Sequence, residues 1–282
     1  MFNPREFSFR HSSPRSLSFP KHPPPAGILF ATDMVNASKM NDSFVVETIN
    51  TAIDCNNVGV VLLQAGHPAE ALEAFRGSAK LMHPISKVFL VERGGSRIND
   101  STSHLQAETF MLANKMKVRL NQLLQQLHIQ DLRRDAKDDP FSEPEDSFDP
   151  ATPVRISKLA SMPESCNIAS AALVYNMGLA FHSNGKEKAL HKASCLYDMA
   201  YGLAASETND ARSVKICMAS LHNAGKIHHG LCNYAVARQY LDALYAYIVS
   251  LPPSNEPDDL IQRQKYLLNA MLLKEPQIAG AA

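Results

Sequence analysis

The chain contains no tryptophan, no pair of cysteines spaced C-x-x-C and no excess of charge of either sign. Its 28 Lys and Arg residues balance 28 Asp and Glu residues. Nucleic-acid-binding proteins usually carry a basic face, so the balance gives that class no support, although it leaves a local basic patch open. The five cysteines are widely spaced and odd in number, which argues against a disulfide framework and favours reduced thiols packed in helices.

Long apolar runs are also missing. No run approaches the roughly 20 residues that a membrane-spanning helix needs, and the N-terminus has no secretory hydrophobic region. The first 32 residues combine four basic residues and one acid with many Ser and Pro. A transit peptide has some of this character, but it should also be amphipathic. We therefore expect a disordered tail on a protein of the cytoplasm or nucleus, with import into an organelle as the alternative.

Motifs for catalysis are missing as well. Gly94-Gly95 is not followed by the Lys-Ser/Thr of a phosphate-binding loop, and no H-E-x-x-H motif occurs. His222 and His229 share a helix face two turns apart, which is too far for both to bind one metal ion. The Cys and His residues lack the context of a nucleophilic site. The sequence therefore predicts a non-catalytic protein with no cofactor and no metal.

Helical periodicity fills most of the remaining chain and divides it into five parts. Residues 1–42 predict a disordered tail, and residues 275–282 a second short tail. Residues 43–130 predict a helical hairpin and a long helix with a capping box at Ser103-x-x-Gln106; the strand-like residues 85–92 within this part stay open. Residues 131–152 carry seven acids from Asp135 to Asp149 and predict a disordered acidic loop. Residues 153–274 predict two further hairpins and a C-terminal capping helix.

The three hairpins share one pattern of small and large residues. In the first helix an Asn lies two residues before a Gly, and in the second helix an Ala is followed four residues later by a large residue. The Gly and the Ala let antiparallel helices approach closely, a Gly or polar residue makes the turn, and we expect the large residue to fill the space toward the next hairpin. The sets are Asn57, Gly59, Ala71 and Phe75; Asn176, Gly178, Ala193 and Tyr197; and Asn223, Gly225, Ala237 and Leu241.

This pattern resembles the tetratricopeptide repeat over about residues 51–82, 170–203 and 215–250. The chain departs from that family in lacking an aromatic residue near the start of each first helix and in having three extra residues in the second turn. The resemblance implies an all-α fold of antiparallel helical hairpins stacked as a short solenoid; an irregular helical bundle is the alternative. Because each hairpin leaves an apolar face open, we expect the long helix and the last helix to cover the remaining faces.

The resemblance also implies a concave groove that is lined by the first helix of each hairpin. An asparagine amide has one acceptor and two donors, which match the C=O and N–H of a peptide bond, so a row of asparagines is implied to grip an extended chain without reading its side chains. Polar neighbours in the same register include histidines, which would favour an acidic peptide as they become charged below pH ~6.5. The candidate groove residues are Asn56, Asn57, Tyr175, Asn176, His182, His222, Asn223, Lys226 and His229.

The favoured function is therefore a protein-interaction scaffold whose groove binds a peptide or a segment of a partner protein, with no membrane partner. The acidic loop is itself a candidate ligand for the groove. Two alternatives remain: an RNA-associated helical-repeat protein, which would need a basic groove, and an enzyme not recognised from its motifs or its non-catalytic regulatory subunit, which a deep pocket with paired ionisable groups would favour.

Overall fold

The computed structural model describes residues 42–93, 99–126, 150–158, 166–205, 210–253 and 257–274. The predicted tails over residues 1–42 and 275–282 and the acidic loop lie outside the described residues, apart from Asp42 and residues 150–152. The described residues form eight helices and no strand. These are α1 Asp42–Gln64, α2 Pro68–Arg93, α3 Asn99–Gln126, α4 Cys166–His182, α5 Glu187–Ala204, α6 Ala211–Gly230, α7 Tyr234–Ser250 and α8 Pro257–Lys274.

The predicted all-α fold is confirmed, and the structure adds three details about its elements. Residues 85–92 are helical, because α2 continues to Arg93; β propensity depends on context and yields here to a long helix. The capping box at Ser103 is wrong, since α3 already begins at Asn99 and Ser103 lies inside it. Residues 150–158 form no helix and run as a turn and a bend followed by chain without regular secondary structure, so the second half of the fold begins with a non-helical segment.

The helices pack as three hairpins with a covering helix on each half. The pairs are α1 with α2, α4 with α5, and α6 with α7, and each pair is joined by a short turn that makes its helices antiparallel. The hairpins stack through contacts of α2 with α4 and of α5 with α6. The long helix α3 lies on α1 and α2, and the last helix α8 lies on α7 and α6. Stacking therefore places the first helices α1, α4 and α6 next to one another.

Each hairpin closes around a glycine of its first helix and a large side chain of its second. An ideal Cβ on the glycine would overlap the facing ring in the first hairpin, and it would lie 2.8 Å and 3.0 Å from the nearest side-chain carbon in the second and third. The large residue therefore covers the glycine of its own hairpin, a contact that the expectation of filling the space toward the next hairpin did not include. The pairs are Gly59 with Phe75, Gly178 with Tyr197, and Gly225 with Leu241.

Gly59→Ala is expected to lower the free energy of unfolding by about 1–3 kcal/mol, because the added methyl group must displace the buried ring of Phe75. Gly202→Ala is the matched control: Gly202 is exposed on α5, and nothing lies within 4 Å of its Cβ position. There the better helix propensity of alanine should raise stability by about 0.5–1 kcal/mol. Urea unfolding of both variants tests the prediction, and equal shifts in the two would contradict it.

A left-handed residue ends the first helix of every hairpin. Gly66 has φ 81°, Gly185 has φ 69° and Cys232 has φ 60°. In the third hairpin the N–H of Asn233 donates to the carbonyl of His228 at 2.8 Å, which closes the turn and satisfies one of the last carbonyls of α6. The first two hairpins use glycine at this conformation, whereas the third uses a residue whose Cβ crowds the backbone there.

Cys232→Gly is therefore expected to stabilise the fold by about 0.5–1 kcal/mol, because removing the Cβ relieves the left-handed strain by more than glycine loses in chain entropy. The reverse change Gly185→Ala should destabilise by a similar or larger amount, since the Cβ meets no neighbour and only the backbone is strained. Thermal melting of the two variants measures both effects. A lower melting temperature for Cys232→Gly would show that the thiol makes a contact that outweighs the strain.

The buried side chains form two clusters that meet at α4. One cluster lies among α1, α2, α3 and α4, and the other among α4, α5, α6, α7 and α8. Every residue of α4 from Asn167 to Asn176 is buried, so this helix is the centre of the stack. Leu63, Ile156 and Phe181 pack against both clusters. Ile156 differs from the other two in belonging to the non-helical segment 150–158 and not to a helix.

Candidate functional site

The hairpin glycines determine which way the asparagines point. Successive residues of an α-helix are rotated by about 100°, so a residue two positions away lies on nearly the opposite side. Since Gly59, Gly178 and Gly225 face the second helix of their own hairpins, an asparagine two positions earlier must face away from it. The asparagines consequently share one surface across α1, α4 and α6. We call the surface formed by Asn56, Asn57, Tyr175, Asn176 and Asn223 the asparagine surface.

The asparagine surface is occupied by residues 150–158 of the same chain, which we call the resident segment. Asn57 Nδ2 donates to the carbonyl of Ile156 at 2.8 Å, and Asn57 Oδ1 accepts from the N–H of Ile156 at 2.9 Å. Asn176 pairs with Val154 in the same way. Asn176 Nδ2 donates to the carbonyl of Val154, and Asn176 Oδ1 accepts from the N–H of Val154, both at 2.7 Å. Each asparagine thus pairs with both main-chain groups of one residue.

This pairing reproduces the hydrogen bonds of a β-ladder with side chains. In extended chain the N–H and C=O of one residue point to the same edge, and residues two apart share that edge. Val154 and Ile156 are two residues apart, and both turn their main-chain groups toward the asparagines. Each asparagine amide therefore takes the place that a residue of a neighbouring strand would have.

A third anchor lies at the start of the resident segment. The carbonyl of Pro150 accepts from Tyr175 Oη at 2.6 Å and from Asn223 Nδ2 at 2.7 Å. Tyr175 is fully buried, and its hydroxyl group is the part of the side chain that bonds to Pro150. The three first helices thus hold the segment at three points, with Pro150 at α4 and α6, Val154 at α4 and Ile156 at α1.

Asn56 is the buried member of the asparagine surface and connects Asn57 with Asn176 through hydrogen bonds. It is fully buried, and its Oδ1 accepts from Asn176 Nδ2 at 3.0 Å. Its Nδ2 donates to Asn57 Oδ1 at 3.2 Å and lies 3.4 Å from the carbonyl of Val154. These bonds orient the amides of Asn57 and Asn176 for their pairings with the resident segment. A buried polar network in which the donors and acceptors are matched in this way is rigid, and it loses much of its stability when one member changes character.

The side chains of the resident segment add apolar contacts and one ion pair. Val154 and Ile156 are half-buried and pack against the core. Beyond them, Lys158 Nζ lies 3.0 Å from Asp54 Oδ1. Both partners of this pair are exposed, so the pair contributes at most about 1 kcal/mol and depends on salt. Burial of the two branched side chains is therefore the larger contribution.

The predicted histidines are not brought onto the asparagine surface. His222 is buried, with its ring edge-on to Tyr266 of α8 at 5.5 Å. His229 packs edge-on against Tyr234 at the start of α7, 5.3 Å between ring centres. Both rings lie in helix contacts that the sequence pattern did not reveal. A basic groove for acidic peptides, as the register predicted, is not assembled from these two residues.

The described contacts of His182 are with Tyr197 and Lys226 and not with the resident segment. His182 Nδ1 lies 3.2 Å from the hydroxyl of Tyr197. Burial, with a smaller effect from the charge of Lys226, lowers the pKa of His182 below its usual value. His182 is thus expected to become positively charged only in solution more acidic than pH ~6.5. Lys226 is exposed on α6 and remains a candidate for contact with a partner.

The site is defined by its contacts with the main chain of the resident segment. Comparisons with known proteins add no information about it. No protein-family model matches the chain, and no curated protein or solved structure matches it. Within the described ranges, no three His, Cys, Asp or Glu side chains are arranged to hold a metal ion. None of the described helices combines the length and apolar character that crossing a bilayer requires.

Sequence reasoning missed five participants in this site: Asp54, Pro150, Val154, Ile156 and Lys158. A signal for three of them was present, because Pro150-Ala-Thr-Pro-Val-Arg-Ile156 combines prolines with branched residues at alternate positions, which favours extended chain. That short stretch follows directly on the acidic residues and was divided between the predicted loop and the predicted second half. The acidic loop was a candidate ligand, yet the described contacts come from the residues at and after its end.

Proposed function

We propose that this protein is a non-catalytic scaffold that binds an extended segment of a partner protein on the asparagine surface. The observation that supports this is the double pairing of Asn57 and Asn176 with the main chain of alternate residues. Such pairing is the principle of β-strand addition, in which main-chain bonds hold the peptide and side-chain pockets select it. Here helical side chains provide the edge.

Main-chain hydrogen bonds and side-chain burial have different roles in binding, as their free energies indicate. A net hydrogen bond contributes about 0.5–1.5 kcal/mol, while ordering one residue of a flexible chain costs about 1–2 kcal/mol. The main-chain bonds therefore fix the register and direction of a bound segment without providing much surplus. Affinity has to come from side chains that bury apolar area, in the positions that Val154 and Ile156 occupy. A partner with small polar residues at both positions should bind poorly.

The test is affinity capture from native extract with three forms of the full chain. The first is wild type, the second carries Asn57→Ala, Asn176→Ala and Asn223→Ala, and the third carries Asn121→Ala and Asn269→Ala. The third form makes the same chemical change at exposed positions of α3 and α8. We expect partners that are retained by the first and third forms and reduced at least about tenfold with the second, which corresponds to the loss of about 1.4 kcal/mol or more.

Circular dichroism of all three forms checks that the second is folded under the capture conditions. Capture of the same proteins in the same amounts by all three forms would rule out the asparagine surface as the binding site. If a partner is found, its binding region is mapped by truncation to a single segment. A partner that binds through a folded surface with no extended segment would also overturn the proposal.

A further inference from the structure

The resident segment has the properties of a ligand. Its hydrogen bonds to the first helices run between its main chain and the side chains of asparagines and one tyrosine, an arrangement that any extended chain can make. Nothing in those bonds depends on the segment belonging to the same molecule. Its two branched side chains lie on the asparagine surface and are only half-buried.

Resting on the function proposed above, we propose that residues 150–158 are an internal competitor for the partner site, and that the partner segment shares their chemistry. The partner would carry a branched apolar residue at two alternate positions and a cation two positions after the second. These positions correspond to Val154, Ile156 and Lys158, which contact the core and Asp54. The partner must displace the resident segment before its own main chain can pair with Asn57 and Asn176.

The tether of the resident segment sets how strongly it competes. Only residues 159–165 separate Lys158 from α4, so the segment stays close to its site after it is released. Short linkers give effective concentrations on the order of 1 mM, and a free peptide with a Kd of about 10 µM would then bind the intact chain about a hundredfold more weakly than a chain with an empty site. Weak binding by the intact protein is thus a built-in property that a better-matched partner overcomes.

The experiment compares the full-length wild type with a full-length linker variant, in which residues 150–158 are replaced by nine Gly and Ser residues. The probe is a fluorescent, end-blocked nonapeptide with the sequence of residues 150–158, and binding is followed by anisotropy. A peptide with the same residues in reverse order is the control for composition and charge. We expect saturable binding of the nonapeptide to the linker variant, and binding to wild type that is weaker by at least about tenfold, given the effective concentration above.

Two further changes test the chemistry. Asn57→Ala in the linker variant should weaken binding of the nonapeptide, and Ile156→Asp in the peptide should abolish it. If the folded linker variant binds the nonapeptide no better than the reversed peptide, the internal competitor is excluded. The function proposed above would still stand in that case, provided that capture by wild type depends on the asparagines. If capture shows no such dependence while the nonapeptide binds, the competitor exists without the partner.

Hydrogen exchange covers the case in which the linker variant does not fold. In wild type, the amides of Val154 and Ile156 should exchange through local opening, faster than amides in the middle of α4, and excess free nonapeptide should accelerate them. Exchange of these two amides only with global unfolding, at the rate of α4, would mean that the segment is a structural strap. That result would overturn the proposal.

Discussion

Asn176→Asp is expected to destabilise the protein by about 3–5 kcal/mol at neutral pH, which is the typical cost of leaving a buried charge without a partner. The substitution changes no volume, but it replaces the donor Nδ2 by a second acceptor. That donor bonds to the carbonyl of Val154 and to Oδ1 of Asn56, so three acceptors would meet in a fully buried site. The resident segment should be released together with the loss of stability.

Urea unfolding measures the effect, and Asn121→Asp is the matched control because Asn121 is exposed on α3. The control should change stability by no more than about 0.5 kcal/mol. Acidification should reduce the penalty in Asn176→Asp, since a protonated carboxyl group can again donate to the Val154 carbonyl. An unchanged unfolding midpoint at neutral pH would mean that the asparagine network is not a stable part of the fold.

Deleting residues 256–282 is expected to cause aggregation, because α8 covers α6 and α7. Tyr266 and Ala270 of α8 are buried, and the ring of Tyr266 lies edge-on to His222. Removal of the helix would expose these contacts on the last hairpin. A truncated chain that remained monomeric with an unchanged melting temperature would show that α8 is not a cap.

Tyr266→Ala isolates the main contact without removing the helix. Truncating a large buried aromatic side chain costs about 3–5 kcal/mol, which for a chain of this size corresponds to a fall of about 6–20 °C in melting temperature. Leu272→Ala on the same helix is the control, since Leu272 is 63% exposed and should change stability by no more than about 0.5 kcal/mol. Equal effects of the two substitutions would contradict the packing of α8.

The spacing of Asn two residues before Gly was the main sequence feature that predicted the residues of the site. Glycine at a helix crossing determines the face of each first helix, and the asparagine two positions earlier then lies on the opposite face. This local rule sufficed for Asn57, Asn176 and Asn223, because it needs only the geometry of one hairpin. Tyr175 and Asn56 followed from the same register.

The environment of the histidines could not be deduced in this way. His222 lies one position from Asn223, but Tyr266 of a distant helix determines its packing. His229 is likewise held by Tyr234 of the following helix. These contacts depend on how α7 and α8 are placed, and no short-range pattern encodes that placement. The alternation over residues 150–156 favoured extended chain, but it did not place the resident segment on this surface, because the main-chain bonds to the asparagines do not depend on the segment's own side chains.

The paired asparagines also determine where a bound chain can contain proline. Val154 and Ile156 must each supply an N–H to an asparagine oxygen, and proline has none. Pro150 is bonded through its carbonyl, by Asn223 and Tyr175. The described bonds of the asparagines do not involve Pro153. Pro153 also disfavours the helical conformation at the preceding residue, which follows the turn at Pro150 and Ala151. A bound sequence can therefore vary widely, but its imino acids must stay out of the two positions whose nitrogens donate.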